Sequence, residues 1–186
     1  MEENFKQQPS PHLKKIVLFG PESTGKTTLA QQLAAHYNTL WVPEYMRIYY
    51  EEKWQGKPGK SKKTDLIPIA KQQMKLENEM AKAADKFLFC DTNLLEIKVY
   101  SEAYFNGFCP PEIATFALQN TYELYFLTYI DTPWKADGLR DKPMEREIMF
   151  GLFEKALIEA EKPYVILKGN QNKRLQKAIE VLNTWN

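Results

Sequence analysis

The octet Gly20-Pro21-Glu22-Ser23-Thr24-Gly25-Lys26-Thr27 lies between the apolar run Ile16-Val17-Leu18-Phe19 and the Ala/Leu/Gln-rich run Thr28-Leu29-Ala30-Gln31-Gln32-Leu33-Ala34-Ala35. The first run has the composition of a short buried strand, and the second has apolar residues at helical spacing. Strand, loop and helix in that order are the setting required by the spacing G-x-x-x-x-G-K-[ST]. Its glycines let successive backbone N–H groups converge on an anion, and the helix N-terminus adds partial positive charge. Lys26 is placed to reach β- and γ-phosphates, and the Thr27 hydroxyl to complete the shell of a Mg²⁺ ion. Gly20, Glu22, Ser23, Thr24, Gly25, Lys26, Thr27 and Thr28 are therefore expected to hold ATP. A glycine-rich turn that merely joins strand to helix would not require the lysine and threonine as well.

Five apolar runs, at 16–19, 40–42, 87–90, 124–129 and 164–167, alternate with longer segments of helical pattern. That alternation predicts an α/β fold: a parallel sheet covered by helices on both faces, with ligands bound at the carboxyl ends of the strands. Helices are expected over 64–85, 93–105, 144–161 and 173–182. The 186 residues suit one domain over 15–186, behind a polar leader over 1–14 that reads as flexible. The stretch KWQGKPGKSKK over 53–63 holds five Lys, two Gly and one Pro with no apolar period, the composition of an exposed, mobile loop.

A net charge of +1 gives no global field that would favour nucleic acid or an anionic membrane as partner. Cys90 and Cys109, without a nearby Cys/His cluster, suggest neither a disulfide framework nor a zinc site. The sequence has no apolar span of transmembrane length and no secretory signal pattern, so a cytoplasmic protein is expected.

A phosphate loop alone does not say whether phosphate passes to water or to a substrate. Asp91 follows the third apolar run as a metal-holding aspartate follows its strand, although capping of the next helix is an alternative use. The next residue is Thr92 rather than a water-activating Glu, which points to transfer onto a bound hydroxyl. Such a hydroxyl needs a carboxylate to orient it and take its proton. Glu44, after the second run, is the first candidate; a surface ion pair with Arg47 is its alternative, and Asp91 itself is the other candidate base. The segment 131–146 has lid composition, with Arg140 and Arg146 as cations for the migrating phosphate and Asp137 as a group for substrate hydroxyls. An ordinary charged loop would have a similar composition.

Taken together, the octet, Glu44-Tyr45-x-Arg47, Asp91-Thr92 with Lys98-Val99-Tyr100-Ser101, and Pro133-Trp134-x-x-Asp137-Gly138-Leu139-Arg140 resemble the ribosylnicotinamide kinase domain of NadR-type proteins, from about Lys15 to the C-terminus. The lid motif is the specific part of the match. The resemblance implies a P-loop NTPase fold with kinase-like strand order 2-3-1-4-5 and a lid. It also implies transfer of the ATP γ-phosphate to the ribose 5′-hydroxyl of nicotinamide riboside, with Mg²⁺ and a small nucleoside substrate as the ligands. It further implies catalytic roles for Lys26, Glu44, Asp91 and Arg140, metal contacts from Thr27 and Asp91, and substrate contacts from Glu44, Tyr45, Arg47, Asp91, Trp134, Asp137 and Arg140. Trp134 and Tyr45 would stack on the nicotinamide ring. No H-x-G-H motif is present, so adenylyl transfer is not expected, nor is repression. Another nucleoside or vitamin alcohol as acceptor, and a nucleotide-dependent switch, are the competing readings.

Overall fold

The computed structural model describes residues 2–55, 57, 59–133 and 145–185. Among them, β1 (Lys14–Phe19), β2 (Leu40–Val42), β3 (Phe87–Asp91), β4 (Leu124–Thr128) and β5 (Tyr164–Leu167) form one parallel sheet in the order β2-β3-β1-β4-β5. The helices are α1 (Lys26–His36), α2 (Tyr45–Trp54), α3 (Leu66–Ala83), α4 (Leu94–Tyr104), α5 (Pro111–Gln119), α6 (Arg146–Glu159) and α7 (Gln171–Asn183). The strand order is the one expected, and each strand lies within two residues of its anticipated limits.

The sheet's position in the middle follows from the period-2 geometry of its strands. Ile16 and Leu18 of β1 face a cluster with Phe87, Phe89 and Phe126, covered by Leu29 and Leu33 of α1 and Ala178 and Leu182 of α7. Val17 and Phe19 face the opposite way, into the larger cluster with Leu88, Cys90, Tyr125 and Leu127 and residues of α3, α4, α5 and α6. The register pairs Leu18 with Asp91 and Phe19 with Leu127, so the carboxyl ends of β3, β1 and β4 end side by side. No described helix is long and apolar enough to cross a membrane.

Two expectations need correction. Residues expected to be a flexible leader are docked: a 3-10 turn over Glu2–Phe5 buries Phe5, whose ring stacks on Phe116 with centroids 6.0 Å apart. Gln7 donates to Glu77 Oε1 at 2.8 Å, and Asn120 donates to the Phe5 carbonyl at 3.0 Å. The composition of this leader is polar, but its few apolar side chains find a groove beside α3 and α5. The other correction concerns 53–63, which begins inside a helix: α2, not anticipated, runs to Trp54, and Lys53 Nζ contacts Asp65 Oδ1 at 2.5 Å. Asp65 also accepts from the Lys62 N–H at 3.0 Å, so this basic stretch is fixed at both ends by one buried carboxylate.

Removing the Phe5 ring leaves an unfilled site in the core, and F5A is expected to lower stability by about 3 kcal/mol. Thermal melting checks this, and an unchanged Tm would show that the leader adds nothing to the fold.

Candidate functional site

The octet forms the turn from β1 to α1. Gly20 leaves the strand with φ +136, and a Cβ there would lie 2.8 Å from Thr128 Oγ1 and 3.0 Å from the Thr128 carbonyl of β4. Ser23 (φ 60) and Gly25 (φ 82) also take left-handed conformations. Such a winding turn leaves carbonyls that cannot pair within a helix or sheet, so they need donors from elsewhere. Lys26 Nζ donates to the Gly20 carbonyl at 2.8 Å and to that of Pro21 at 3.1 Å; the Thr24 hydroxyl also donates to Pro21, at 2.7 Å. Thr132 donates its hydroxyl to the Ser23 carbonyl at 2.8 Å, with Arg146 Nη2 at 3.5 Å. The buried Arg174 of α7 donates to the Thr24 carbonyl, to that of Tyr129 at 2.8 Å, and to Asp131 Oδ1.

Acidic groups gather beneath Lys26. Asp91 is fully buried at the end of β3, and its Oδ2 accepts from the Thr27 hydroxyl at 2.5 Å. Its Oδ1 is buried without a hydrogen-bond partner. Asn93, rather than Asp91, caps α4: its Oδ1 accepts from the Glu96 N–H at 3.1 Å. Glu96, one turn into α4, is completely buried, with Oε1 3.3 Å from Lys26 Nζ. Burial opposes the charge on Lys26, but attraction from Glu96, Glu44 and Asp91 carries its pKa above the ordinary value. The carboxyls respond in the opposite sense to burial and crowding. Burial, reinforced by Glu44, pushes Asp91 up to about 6. Burial drives Glu96 to about 8, with Lys26 opposing and Glu44 and Asp91 adding to the rise.

A cavity of about 490 Å³ is lined by residues 22–28, Glu44 and Arg47, and by the aromatic side chains Tyr50, Trp54, Tyr104 and Phe105. Tyr50 and Trp54 stack at 4.4 Å with planes 15° apart. Glu44 ends the β2 turn as the N-cap residue of α2, held by Gln73 of α3, which accepts from the Tyr45 N–H at 2.8 Å and donates to the Pro43 carbonyl at 3.1 Å. The Glu44–Arg47 ion pair is present at 4.0 Å, and both residues still line the cavity. Gly59, Lys60 and Ser61 form part of the wall, so the basic stretch belongs to the site rather than to bulk surface. A Cβ on Gly59 would fall 2.2 Å from the Trp54 ring, so glycine is needed for this close approach.

Of the residues expected at a site, Glu22, Ser23, Thr24, Gly25, Lys26, Thr27, Thr28, Glu44 and Arg47 line the cavity, and Asp91 lies behind Thr27. Tyr45 does not line it: its ring packs beside Tyr49, 6.4 Å away, against the larger core cluster. Arg146, expected as a lid cation, donates to Thr132 and to the loop carbonyl of Ser23. Trp134, Asp137 and Arg140 lie outside the described residues. Sequence reasoning missed Glu96, Gln73, Trp54 and Arg174. Gln73 had a legible signal, because it is a polar residue on the buried stripe of α3 beside Ile69, Ala70 and Met74.

A family model described as an AAA domain matches residues 15–174. The trifunctional NAD biosynthesis/regulator protein NadR of Salmonella typhimurium is 27% identical over 173 residues, covering 91% of this chain and 42% of the relative. The NadR protein of Escherichia coli is 30% identical over 128 residues, covering 69% and 31%. The chain thus spans less than half the length of either relative. Among solved structures, a NadR protein in complex with NR superimposes with a TM-score of 0.77 at 24% identity, over 93% of this chain and 51% of that one. Thymidylate kinase from Ehrlichia chaffeensis gives 0.64 at 15% identity, over 92% and 99%. With the loop, the strand order and the matched span in agreement, the chain belongs to the AAA-domain family, has a P-loop kinase fold, and resembles part of the NadR proteins over most of its length.

Proposed function

We propose that the protein is an ATP-dependent small-molecule kinase that phosphorylates the ribose 5′-hydroxyl of nicotinamide riboside to give nicotinamide mononucleotide. One observation carries this reading: a single cavity is lined by the phosphate loop, by the carboxylate of Glu44 and by the aromatic side chains Tyr50, Trp54, Tyr104 and Phe105. A nucleoside with a flat base and a primary hydroxyl matches that lining, and the similarity to a NadR protein solved with NR supports this choice of nucleoside. A second reading, another nucleoside as acceptor, is favoured by the aromatic lining from Tyr50, Trp54, Tyr104 and Phe105, which is not particular to one planar base.

The residues fit a nucleotide and its metal. Gly20 and Gly25 allow the tight turn around an anion, Lys26 is an ammonium, and Asp91 keeps one buried oxygen without a hydrogen-bond partner next to the Thr27 hydroxyl. Residues 20 and 22–28 would hold the triphosphate, and Thr27 and Asp91 the Mg²⁺, which when bound neutralises charge on the phosphate oxygens. Glu44 lines the cavity whereas Asp91 is occupied by Thr27, so Glu44 is assigned as the base that orients the acceptor hydroxyl and takes its proton. Arg47 adds positive charge beside it. Tyr50 and Trp54 replace Tyr45 as the aromatic floor for the base. Arg140, Trp134 and Asp137 are assigned by resemblance to the lid, for charge stabilisation, ring stacking and ribose contact.

Phosphorylation of nicotinamide riboside, thymidine and deoxyadenosine by purified protein with MgATP is the direct test. Preference for nicotinamide riboside is expected, and ATP turnover indifferent to every nucleoside would sink the kinase reading. K26A should abolish transfer, and E44Q should lower kcat by about 10²-fold or more with KM little changed; unaltered kcat removes Glu44 as base. Glu96 also predicts a pH dependence of stability. Its folded pKa is above its unfolded one, so its contribution is present below about pH 4.5 and lost as pH rises through about 8. The melting temperature of the ligand-free protein should therefore fall over that window, and E96Q should flatten the decline.

A further inference from the structure

Glu96 lies outside the cavity lining and has no part in the transfer described above, yet it is a completely buried carboxyl facing the most important cation of the site. We propose that Glu96 is a positioning residue that parks Lys26 on the protein side of the loop and thereby sets how tightly the loop takes a triphosphate. The inference rests on the reading of residues 20–28 as a triphosphate site.

An ammonium has three protons to donate. In the ligand-free protein Lys26 Nζ donates to the Gly20 carbonyl at 2.8 Å and the Pro21 carbonyl at 3.1 Å, and Glu96 Oε1 stands 3.3 Å away as its ion-pair partner. A phosphate that draws Lys26 outward lengthens its contact with Glu96, which bears charge above about pH 8. Neither Glu96 oxygen has a hydrogen-bond partner, so the ionised carboxylate depends on Lys26 for its electrostatic compensation. Nor can Glu96 readily follow Lys26 outward. Its backbone N–H is held by Asn93 Oδ1, and Asn93 Nδ2 is itself fixed on the Tyr125 hydroxyl at 2.9 Å. One turn further along α4, Tyr100 packs edge-on against Phe153 at 5.2 Å. The other charged groups that act on this corner are Glu44 and Asp91, both of the same sign as Glu96. Drawing Lys26 toward phosphate therefore leaves the ionised, buried carboxylate without its ion-pair partner, an arrangement with a large desolvation cost. Return of Lys26 to Glu96 correspondingly favours release of the nucleotide after transfer.

The test is a double-mutant cycle on binding, measured by calorimetry with a non-hydrolysable ATP analogue, without divalent cation, at pH 9 where Glu96 is ionised. The four chains are wild type, E96Q, K26M and the double variant. Relief of one charge–charge competition should make E96Q bind about tenfold tighter than wild type. In the K26M background the same change should matter little, because no ammonium remains to be released. An equal tightening in both backgrounds would overturn parking, since it would mean simple repulsion between Glu96 and phosphate; no tightening in wild type would overturn it too. If E96Q lacks a cooperative melt, E96M, of similar length and uncharged, takes its place with the same expectations. Failure of the analogue to bind any of the four chains overturns the triphosphate reading and this inference with it.

Discussion

A loop that curls around an anion must leave its carbonyl groups facing the protein, and the satisfaction of those carbonyls organises the whole carboxyl edge of the sheet. Lys26 and Thr24 serve Gly20 and Pro21 from within the loop and its helix. Thr128 donates to the Phe19 carbonyl from β4, Thr132 and Arg146 serve Ser23 from either side of the segment between β4 and α6, and Arg174 serves Thr24 from α7. Each donor comes from a separate element, so the turn is a junction for much of the chain. Gly20 is the contact point where Thr128 and β1 approach too closely for any side chain.

Charge is the second organising term. Glu44, Asp91 and Glu96 crowd one ammonium, in surroundings that include completely buried side chains. Natural cores rarely accept such an excess of acid unless a ligand uses it. The strained balance shows in the raised pKa values of Asp91 and Glu96, whose protons partly relieve it. The cavity also has an aromatic lining, with Tyr50 and Trp54 stacked against each other. Polar and aromatic side chains thus share the lining of one cavity.

Much of this architecture was legible in the residue order. Each strand is a short apolar run, and the loop octet fixes which strand edge carries the site, so fold and phosphate end could both be read. The aromatic part of the cavity was harder because its residues carry no local signal. Trp54 lies in a stretch that reads as solvated lysines, and only the close approach of Gly59 to its ring shows that the stretch folds back. Tyr45 has the right neighbours in sequence, but helical geometry turns it toward Tyr49 and the core. Glu96 and Arg174 look like ordinary helix-surface charges until tertiary packing buries them. Phe5 shows the converse, a single apolar residue anchoring a segment whose composition is polar.

The bond from Arg174 to the Thr24 carbonyl joins positions 150 apart in the chain, and those from Arg146 and Thr132 to Ser23 span 123 and 109. A growing polypeptide therefore displays its phosphate loop long before the donors that complete it exist. Until α7 has been synthesised and docked, the loop lacks that clamp, and closure over such distances is the slow kind of folding event. Competence of the site is in this sense a late product of synthesis, although its signature is made well before those donors.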